Sequence, residues 1–231
     1  SLGVTLYYTA LSVPGIVVTM FVLALLLNTK TKGISVFRTI FYIPAIVPAV
    51  AYSVLWMFIY QPQFGLINNL LEIIGIPPQD WIYGEKSVIP ALALASIWGA
   101  GNTMIVYLAG LQGIPAELYE SMEMDGGGAM HKLWFITVPM MSPVIFYNMT
   151  MTIITSMQTF TQSFIMTGGG PNNASLFYVL HMYRVAFYNQ QMGYASAMSW
   201  LLFLLVGVIT VIVFKLSDTW VFYESGGGDE K

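Results

Sequence analysis

The chain has 231 residues, of which 57% are hydrophobic and only 8% are charged. Soluble domains carry about 25% charged residues, so this composition and the positive mean hydropathy indicate an integral membrane protein. The net charge of −3 provides no basic surface for nucleic acid, and a chain without cysteine has no disulfide, thiol nucleophile or cysteine metal site.

Five apolar segments are long enough to cross a bilayer. A transmembrane helix needs about 20 mostly apolar residues, and the lack of water in lipid forces each spanning segment to satisfy its backbone internally. We therefore predict an all-α, polytopic membrane helical bundle that forms a single transmembrane domain over residues 1–231. The predicted spans are residues 4–27, 39–59, 88–111, 138–166 and 194–216.

The basic residues of the connections predict the orientation of the bundle. Short loops rich in Lys and Arg lie in the cytoplasm. The first and third connections and the end of the last helix carry most of these cations, which are Lys30, Lys32, Arg38, His131, Lys132 and Lys215. This pattern places residues 115–139 and the flexible tail, residues 217–231, in the cytoplasm and Ser1 outside. We therefore expect one additional N-terminal helix before Ser1.

The two external connections are predicted to contain surface helices. The stretch LINNLLEIIGIPP places Ile67, Leu70, Leu71 and Ile74 at helical spacing, as in a helix lying along the membrane surface. The later stretch TGGGPNNAS predicts a turn, and the aromatic residues that follow it are typical of a helix at the level of the lipid headgroups.

Residues 115–139 form a polar insert between the third and fourth spans. The insert contains four of the eleven acidic residues, and its triple glycine at 126–128 follows a run of helix formers. Pro115 is suited to a helix start, so we predict a short helix from Ala116 to Met124. Such a short helix is marginal alone and needs a partner surface. The alternative is an amphipathic helix resting on the bilayer, which the anionic cytoplasmic leaflet disfavours for acidic residues.

The insert resembles the EAA loop of binding-protein-dependent ABC transporter permeases. The pattern of that loop is E-A-A-x3-G-x9-I-x-L-P, and this chain has Glu120, Ser121 and Met122, then Gly126 after three residues and Ile136 after nine more. The spacing is kept, whereas Ser and Met replace the two alanines and Val precedes the final proline. The stretches FRTIFYIPAIVPAV, GLQGIPAELYE, MTGGGP and GYASAMSWLLFLL extend the resemblance to the maltose and glycerol-phosphate type, over essentially the whole chain.

The resemblance implies a function and a set of partners. A permease of this family would import a sugar, an oligosaccharide or a related polyol across the bacterial inner membrane by alternating access. It would work with a second permease, as a heterodimer, with two ATP-binding subunits and with an extracytoplasmic sugar-binding protein. ATP and magnesium would be bound by the ATPase, so this chain is expected to hold no cofactor and to be no enzyme. The coupling residues would be Leu118, Glu120, Ser121, Met122, Asp125 and Gly126.

A polar stripe runs along the fourth predicted span. Its members recur every three or four residues, and they are Asn148, Thr152, Thr155, Ser156, Thr159, Gln162 and Ser163. Hydroxyls and amides do not face lipid, so the stripe must face protein or water. Uncharged hydrogen-bonding groups suit a sugar, although Ser and Thr also serve as hydrogen-bonding contacts between membrane helices. By resemblance, the substrate pathway would include Gly99 and Asn102 of the third span together with Thr152, Thr155, Ser156 and Thr159.

Other functions find less support in the sequence. The chain contains no Gly-Lys pair, which a phosphate-binding loop requires, and its two histidines have no metal-ligand spacing. The alternative to an ATP-driven permease is a stand-alone channel or secondary transporter for a small polar solute. Such proteins typically place charged residues or interrupted repeat helices within the membrane.

Overall fold

The structure is a computed structural model that describes residues 1–29 and 31–222, and all regular elements in these residues are helical. The predicted all-α bundle is thereby confirmed. Lys30 and residues 223–231 of the predicted tail lie outside the described residues. In chain order the helices are α1 (Leu2–Leu27), α2 (Ile34–Ile46), α3 (Ala49–Ile59), α4 (Leu66–Ile73), α5 (Val88–Trp98), α6 (Gly101–Gln112), α7 (Ala116–Met124), α8 (Ala129–Lys132), α9 (Val138–Met157), α10 (Thr161–Met166), α11 (Tyr178–Tyr183) and α12 (Met192–Ser217). A π-helical segment, Leu133–Thr137, joins α8 to α9, and a second, Arg184–Tyr188, extends α11.

Within the described residues, three helices are long and apolar enough to cross a membrane unaided, and each overlaps a predicted span. They are α1, the continuous helix Ala129–Met157 and α12. The second and third predicted spans are bent pairs instead of continuous helices: α2 and α3 meet at 101°, and α5 and α6 meet at 48°. The first bend follows from Pro48, which holds the preceding Val47 in an extended conformation with ψ of 127°.

The fourth predicted span is wrong at its outer end. It was expected to continue to residue 166, but α9 ends at Met157 and helix resumes only at Thr161. Its inner end begins earlier than expected, because the π-helical segment connects it to Ala129. The polar stripe is therefore divided between α9, the break that follows it and α10.

Helix α1 lies at the centre of the bundle and packs against α5, α6 and α9. Its outer half contributes Tyr8 to a buried cluster with Leu92 and Phe177. Its inner half contributes Met20 and Ala24 to a second cluster with α6 and α9. The two clusters fix α1, α5 and α9 around the space that becomes the candidate site.

Close helix packing depends on Gly101 at the start of α6. A Cβ atom at this position would lie 2.7 Å from the backbone oxygen of Phe41 and 3.1 Å from Cα of Tyr42. Neither backbone atom can yield without moving α2. Glycine is therefore required for the contact between α2 and α6, which belong to the two bent pairs.

We expect Gly101→Ala to lower the thermal stability of the detergent-solubilised protein. Overpacking of this kind costs about 1–3 kcal/mol. Gly207→Ala in α12 is the matched control, because a Cβ there meets nothing within 4 Å. A melting curve followed by circular dichroism measures both variants. Equal melting temperatures for Gly101→Ala and the parent would contradict the assigned contact.

The external connections contain the predicted helix and turn. Helix α4 exposes Leu66, Leu70 and Ile73 on one side, while the buried Asn68 accepts a hydrogen bond from Trp81 Nε1 at 2.8 Å. Asn68 also bonds the backbone of Gln79 in both directions, so α4 is attached to its own loop. The glycines of TGGGP form the predicted turn, with φ of 54° at Gly168 and 85° at Gly169.

Candidate functional site

A polar cavity of about 470 Å³ lies between α1, α3, α5 and the break that separates α9 from α10. The bend between α2 and α3 closes one side of it through Pro44, Ala45 and Val47. Among the described residues, no Asp, Glu, Lys or Arg lines the cavity. Its polar lining consists of hydroxyl and amide groups, which belong to Tyr8, Tyr52, Ser53, Ser96, Thr152, Thr155, Ser156, Thr159, Thr161 and Gln162.

The structure brings five of the six predicted pathway residues together at this cavity. They are Gly99, Thr152, Thr155, Ser156 and Thr159. The sixth, Asn102, is exposed and lies outside the lining. The reason is the 48° bend after Gly99, which turns the start of α6 away from the direction of α5.

The threonine hydroxyls of the stripe bond their own helix. Thr152 Oγ1 donates to the backbone oxygen of Asn148 at 2.7 Å, and Thr155 Oγ1 donates to that of Met151 at 2.9 Å. A hydroxyl has one proton and two lone pairs, so each oxygen can still accept a hydrogen bond from a ligand. These threonines therefore present hydrogen-bond acceptors to the cavity.

Part of the stripe serves helix packing, as the alternative interpretation held. Ser156 is buried, and its hydroxyl lies 3.4 Å from that of Ser12 on α1. Thr155, by contrast, is exposed, and Thr159 is half-buried at the cavity. Within the stripe, Ser156 thus packs against α1 as well as lining the cavity, whereas Thr155 and Thr159 have more of their surface free.

The sequence placed Gln162 in the polar stripe but did not point to Tyr8 and Ser96, which join it at the outer wall of the cavity. The Oε1 atom of Gln162 lies 3.3 Å from the Tyr8 hydroxyl and 3.2 Å from the Ser96 hydroxyl, and its Nε2 donates to the Leu92 backbone oxygen at 2.8 Å. These contacts join α10 to α1 and α5. A signal for these contacts was present in the sequence, because each apolar span carries isolated polar residues and such residues seldom face lipid.

Tyr52 provides a free hydrogen-bonding group at the wall. Its hydroxyl is buried and bonds no other atom of the described chain, and its ring stacks on Trp98 with centroids 5.9 Å apart. A Cβ on Gly99 would lie 3.2 Å from this ring, so glycine lets the ring approach α5. A buried hydroxyl without a partner is costly, which makes Tyr52 a ready donor or acceptor for a polar ligand.

The polar insert folds as predicted into α7, Ala116–Met124, with Pro115 immediately before it. Asp125 ends the helix, and Gly126 takes a left-handed conformation with φ of +80°. The amides of Gly126 and Gly127 then bond the backbone oxygens of Glu123 and Met122 at 3.0 and 2.8 Å, a common glycine-dependent helix end.

The steric constraint in this turn lies at Gly127, one residue after Gly126. A Cβ at Gly126 would meet nothing within 4 Å, so the requirement there is the positive φ. At Gly127 a Cβ would lie 2.6 Å from Cγ of Met122. Two glycines are therefore needed for different physical reasons.

Helix α7 leaves most of its surface free. None of its residues is buried, and the acidic side chains of Glu117, Glu120, Glu123 and Asp125 are all exposed. Its apolar side chains are only partly covered: Tyr119 and Met122 are half-buried, whereas Leu118 is 39% exposed. An acidic helix with an exposed leucine is thus available to a partner.

Comparison with known proteins gives consistent relatives. A Bacillus subtilis (strain 168) protein described as "Probable ABC transporter permease protein YesP" is 39% identical over 97% of this chain and 74% of its own length. The multiple sugar-binding transport system permease protein MsmF of Streptococcus mutans is 30% identical over 94% of this chain and 75% of its own length. The sn-glycerol-3-phosphate transport system permease protein UgpA of Yersinia enterocolitica is 32% identical over 91% and 71%, respectively.

Solved structures share the fold. A chain of a bacterial ABC transporter involved in the import of alginate superposes with a TM-score of 0.85 at 23% identity, over 95% of this chain and 78% of that one. A chain of the MetNI methionine ABC transporter gives 0.65 at 19% identity, over 96% and 94%. The family model for binding-protein-dependent transport system inner membrane components matches residues 2–223. The chain therefore belongs to this family of multi-pass membrane permeases.

Proposed function

We propose that this permease carries an uncharged saccharide or related polyol into the cell. The observation that carries the proposal is the cavity, whose polar lining is made of hydroxyls and amides and, within the described residues, of no acidic or basic side chain. A sugar offers many hydroxyl groups, each of which can donate to a threonine oxygen and accept from an amide. A bare phosphate or carboxylate would lack the cationic partner that a buried anion requires.

The named relatives support a saccharide cargo. Among them are permeases for multiple sugars, for arabinooligosaccharides and for trehalose or maltose. Relatives for glycerol phosphate and a structural neighbour for alginate also occur, so the uncharged lining of this cavity is what favours a neutral cargo here. The pathway residues in this proposal are Gly99, Thr152, Thr155, Ser156 and Thr159, together with Tyr52.

The proposed partners follow from the insert and the family. A second permease would complete the cavity, two ATPase subunits would bind α7, and an extracytoplasmic binding protein would deliver the cargo. ATP and magnesium would be held by the ATPase. The permease would lie in the bacterial inner membrane. The exposed Leu118, Glu120 and Asp125 would contact the ATPase, while Ser121 and Met122 occupy the positions where the family has alanine.

The mechanism that fits this arrangement is alternating access. ATP binding would close the ATPase pair and displace α7, which is joined through the π-helical segment to α9 and so to the cavity wall. The bent pairs would then turn the cavity toward the binding protein, and hydrolysis would return it to the cytoplasm. A stand-alone ion-coupled transporter is less consistent with the site, because an ionisable relay is not found among the described lining residues.

Proteoliposomes that contain the assembled transporter and its binding protein test this function. We expect ATP-dependent accumulation of at least one radiolabelled neutral saccharide from a panel of maltose, trehalose and arabino-oligosaccharides, and no accumulation of glycerol 3-phosphate. Accumulation without ATP would contradict an ATP-driven permease. Transport of glycerol 3-phosphate alone would contradict the neutral cargo.

A further inference from the structure

The triple glycine at 126–128 affects how a displacement of α7 can reach α9. Glycine has the largest backbone freedom of any residue, and here three of them connect α7 to α8. A flexible connection would absorb a displacement of α7 before it reached α9. Two side-chain contacts, however, pass directly from α7 to the helix beyond the glycines.

The first contact is a chain of two hydrogen bonds. The hydroxyls of Tyr119 on α7 and Thr137 in the π-helical segment lie 3.0 Å apart. Thr137 Oγ1 also lies 3.2 Å from the backbone oxygen of Lys132, to which it must donate its only proton. Tyr119 is therefore the donor to Thr137. Thr137 is only 5% exposed, so the acceptor end of this bond is buried, while Tyr119 is half-buried.

The second contact is an ion pair between Lys132 and Glu123. The Glu123 carboxylate is largely exposed, so dissolved salt screens its attraction to Lys132. Tyr119 and Glu123 are four residues apart and thus lie one turn apart on α7. Lys132 and Thr137 are five residues apart, which is about one turn of a π-helix. The π-helical segment between them is closed by the Val138 amide, which donates to the Leu133 backbone oxygen. The two contacts therefore lie side by side.

We propose that Tyr119 and Thr137, assisted by Glu123 and Lys132, clamp α7 to the base of α9 so that both move as one rigid body. The clamp transmits the displacement of α7 past the glycines to the wall of the cavity. The proposal rests on the proposed function, in which an ATPase displaces α7. Tyr119 and Thr137 are positioning residues, since the cavity lining includes neither of them.

A cysteine reporter in the cavity tests the clamp in the assembled transporter. The chain contains no cysteine, and the exposed Ala49 lines the cavity, so Ala49→Cys gives this chain a single reactive thiol. The rate of its reaction with a fluorescent maleimide is measured with and without ATP and magnesium. The labelled chain is identified by its mobility on a denaturing gel, and ATP hydrolysis by the same complex is measured in parallel.

We expect Tyr119→Phe and Thr137→Val, each in the reporter background, to reduce the ATP-dependent change in labelling rate by about twofold to tenfold, as for the loss of one hydrogen bond. ATP hydrolysis and the amount of complex should be retained. Thr137→Ser keeps the hydroxyl and should restore the response. Thr150→Val is the matched control on α9, because its buried hydroxyl has no partner in the described chain.

The outcomes separate the clamp from the proposed function. An unchanged labelling response in both Tyr119→Phe and Thr137→Val would overturn the clamp. An equal loss in Thr137→Ser or in Thr150→Val would overturn it too, since it would trace the effect to packing. If the reporter parent itself fails to retain an ATPase, or its labelling does not respond to ATP, the failure lies with the proposed function.

Discussion

Glu120→Lys is expected to remove the ATPase from the purified transporter. Glu120 is exposed on α7, and the described chain gives its carboxylate no hydrogen bond, so the change should leave the fold of the permease intact. Placing a cation where the partner surface accepts an anion replaces an attraction by a repulsion. We expect retention of the ATPase to fall by about tenfold or more. Co-purification from mild detergent, quantified by immunoblot, measures the effect.

Glu72→Lys is the control for the change of charge. Glu72 is exposed near the end of α4, in a connection predicted to lie on the opposite side of the membrane. It carries the same substitution without touching α7. Equal retention of the ATPase by Glu120→Lys and the parent would be evidence against α7 as the docking helix.

The second large effect is expected from Thr155→Val combined with Thr159→Val. Both threonines line the cavity, and valine keeps their shape while removing the oxygen that accepts a bond from the cargo. Each lost hydrogen bond is worth about 0.5–1.5 kcal/mol, so the double variant should slow uptake by about fivefold to a hundredfold. The initial rate of ATP-dependent saccharide uptake per assembled transporter is the measurement.

Two further variants of α9 test whether the loss is specific to the cavity. Thr150→Val makes the same chemical change at a buried hydroxyl that has no partner in the described chain, so uptake should be retained. Ser156→Ala removes a hydroxyl that contacts Ser12 and also lines the cavity, so we expect it to lower the melting temperature as well as the uptake rate. Normal uptake by the Thr155 and Thr159 double variant would assign the whole stripe to helix packing.

Local signals in the sequence predicted some elements closely. Pro115 and Gly126 mark the two ends of α7, and the structure has the helix between them. The stripe of period 3.6 predicted Thr152 and Thr155 at one cavity, because α9 remains helical as far as Met157. In these places the determining interactions lie within a few residues of each other.

Other features depend on contacts that one sequence does not reveal. The break after Met157 contains neither glycine nor proline, and Gln162 at the cavity bonds Tyr8, Ser96 and the Leu92 backbone, which are remote in the chain. The misplaced Asn102 has a similar cause, since the bend at Gly99 depends on how α6 packs on α2. Tertiary packing, which the periodic pattern does not contain, decides these positions.

The two bent pairs also determine how the membrane is crossed. If the first connection and α7 share the cytoplasmic side, as proposed, the number of crossings between them is even. The two bent pairs are the candidates to span the membrane in that interval. Either both pairs cross the membrane, or both turn back to the side from which they entered. At 1.5 Å per residue, α5 and α6 with their bend of 48° extend about 31 Å, enough for a hydrocarbon core of about 30 Å.

By the same arithmetic α2 and α3, with a bend of 101°, extend only about 23 Å. If this pair crosses as well, it is about 7 Å shorter than the hydrocarbon core. Neighbouring lipid must thin, or residues that flank the pair must extend the span, to cover the difference. Pro44 and Val47 place the cavity beside this bend, so the cargo would pass where the hydrophobic barrier is thinnest.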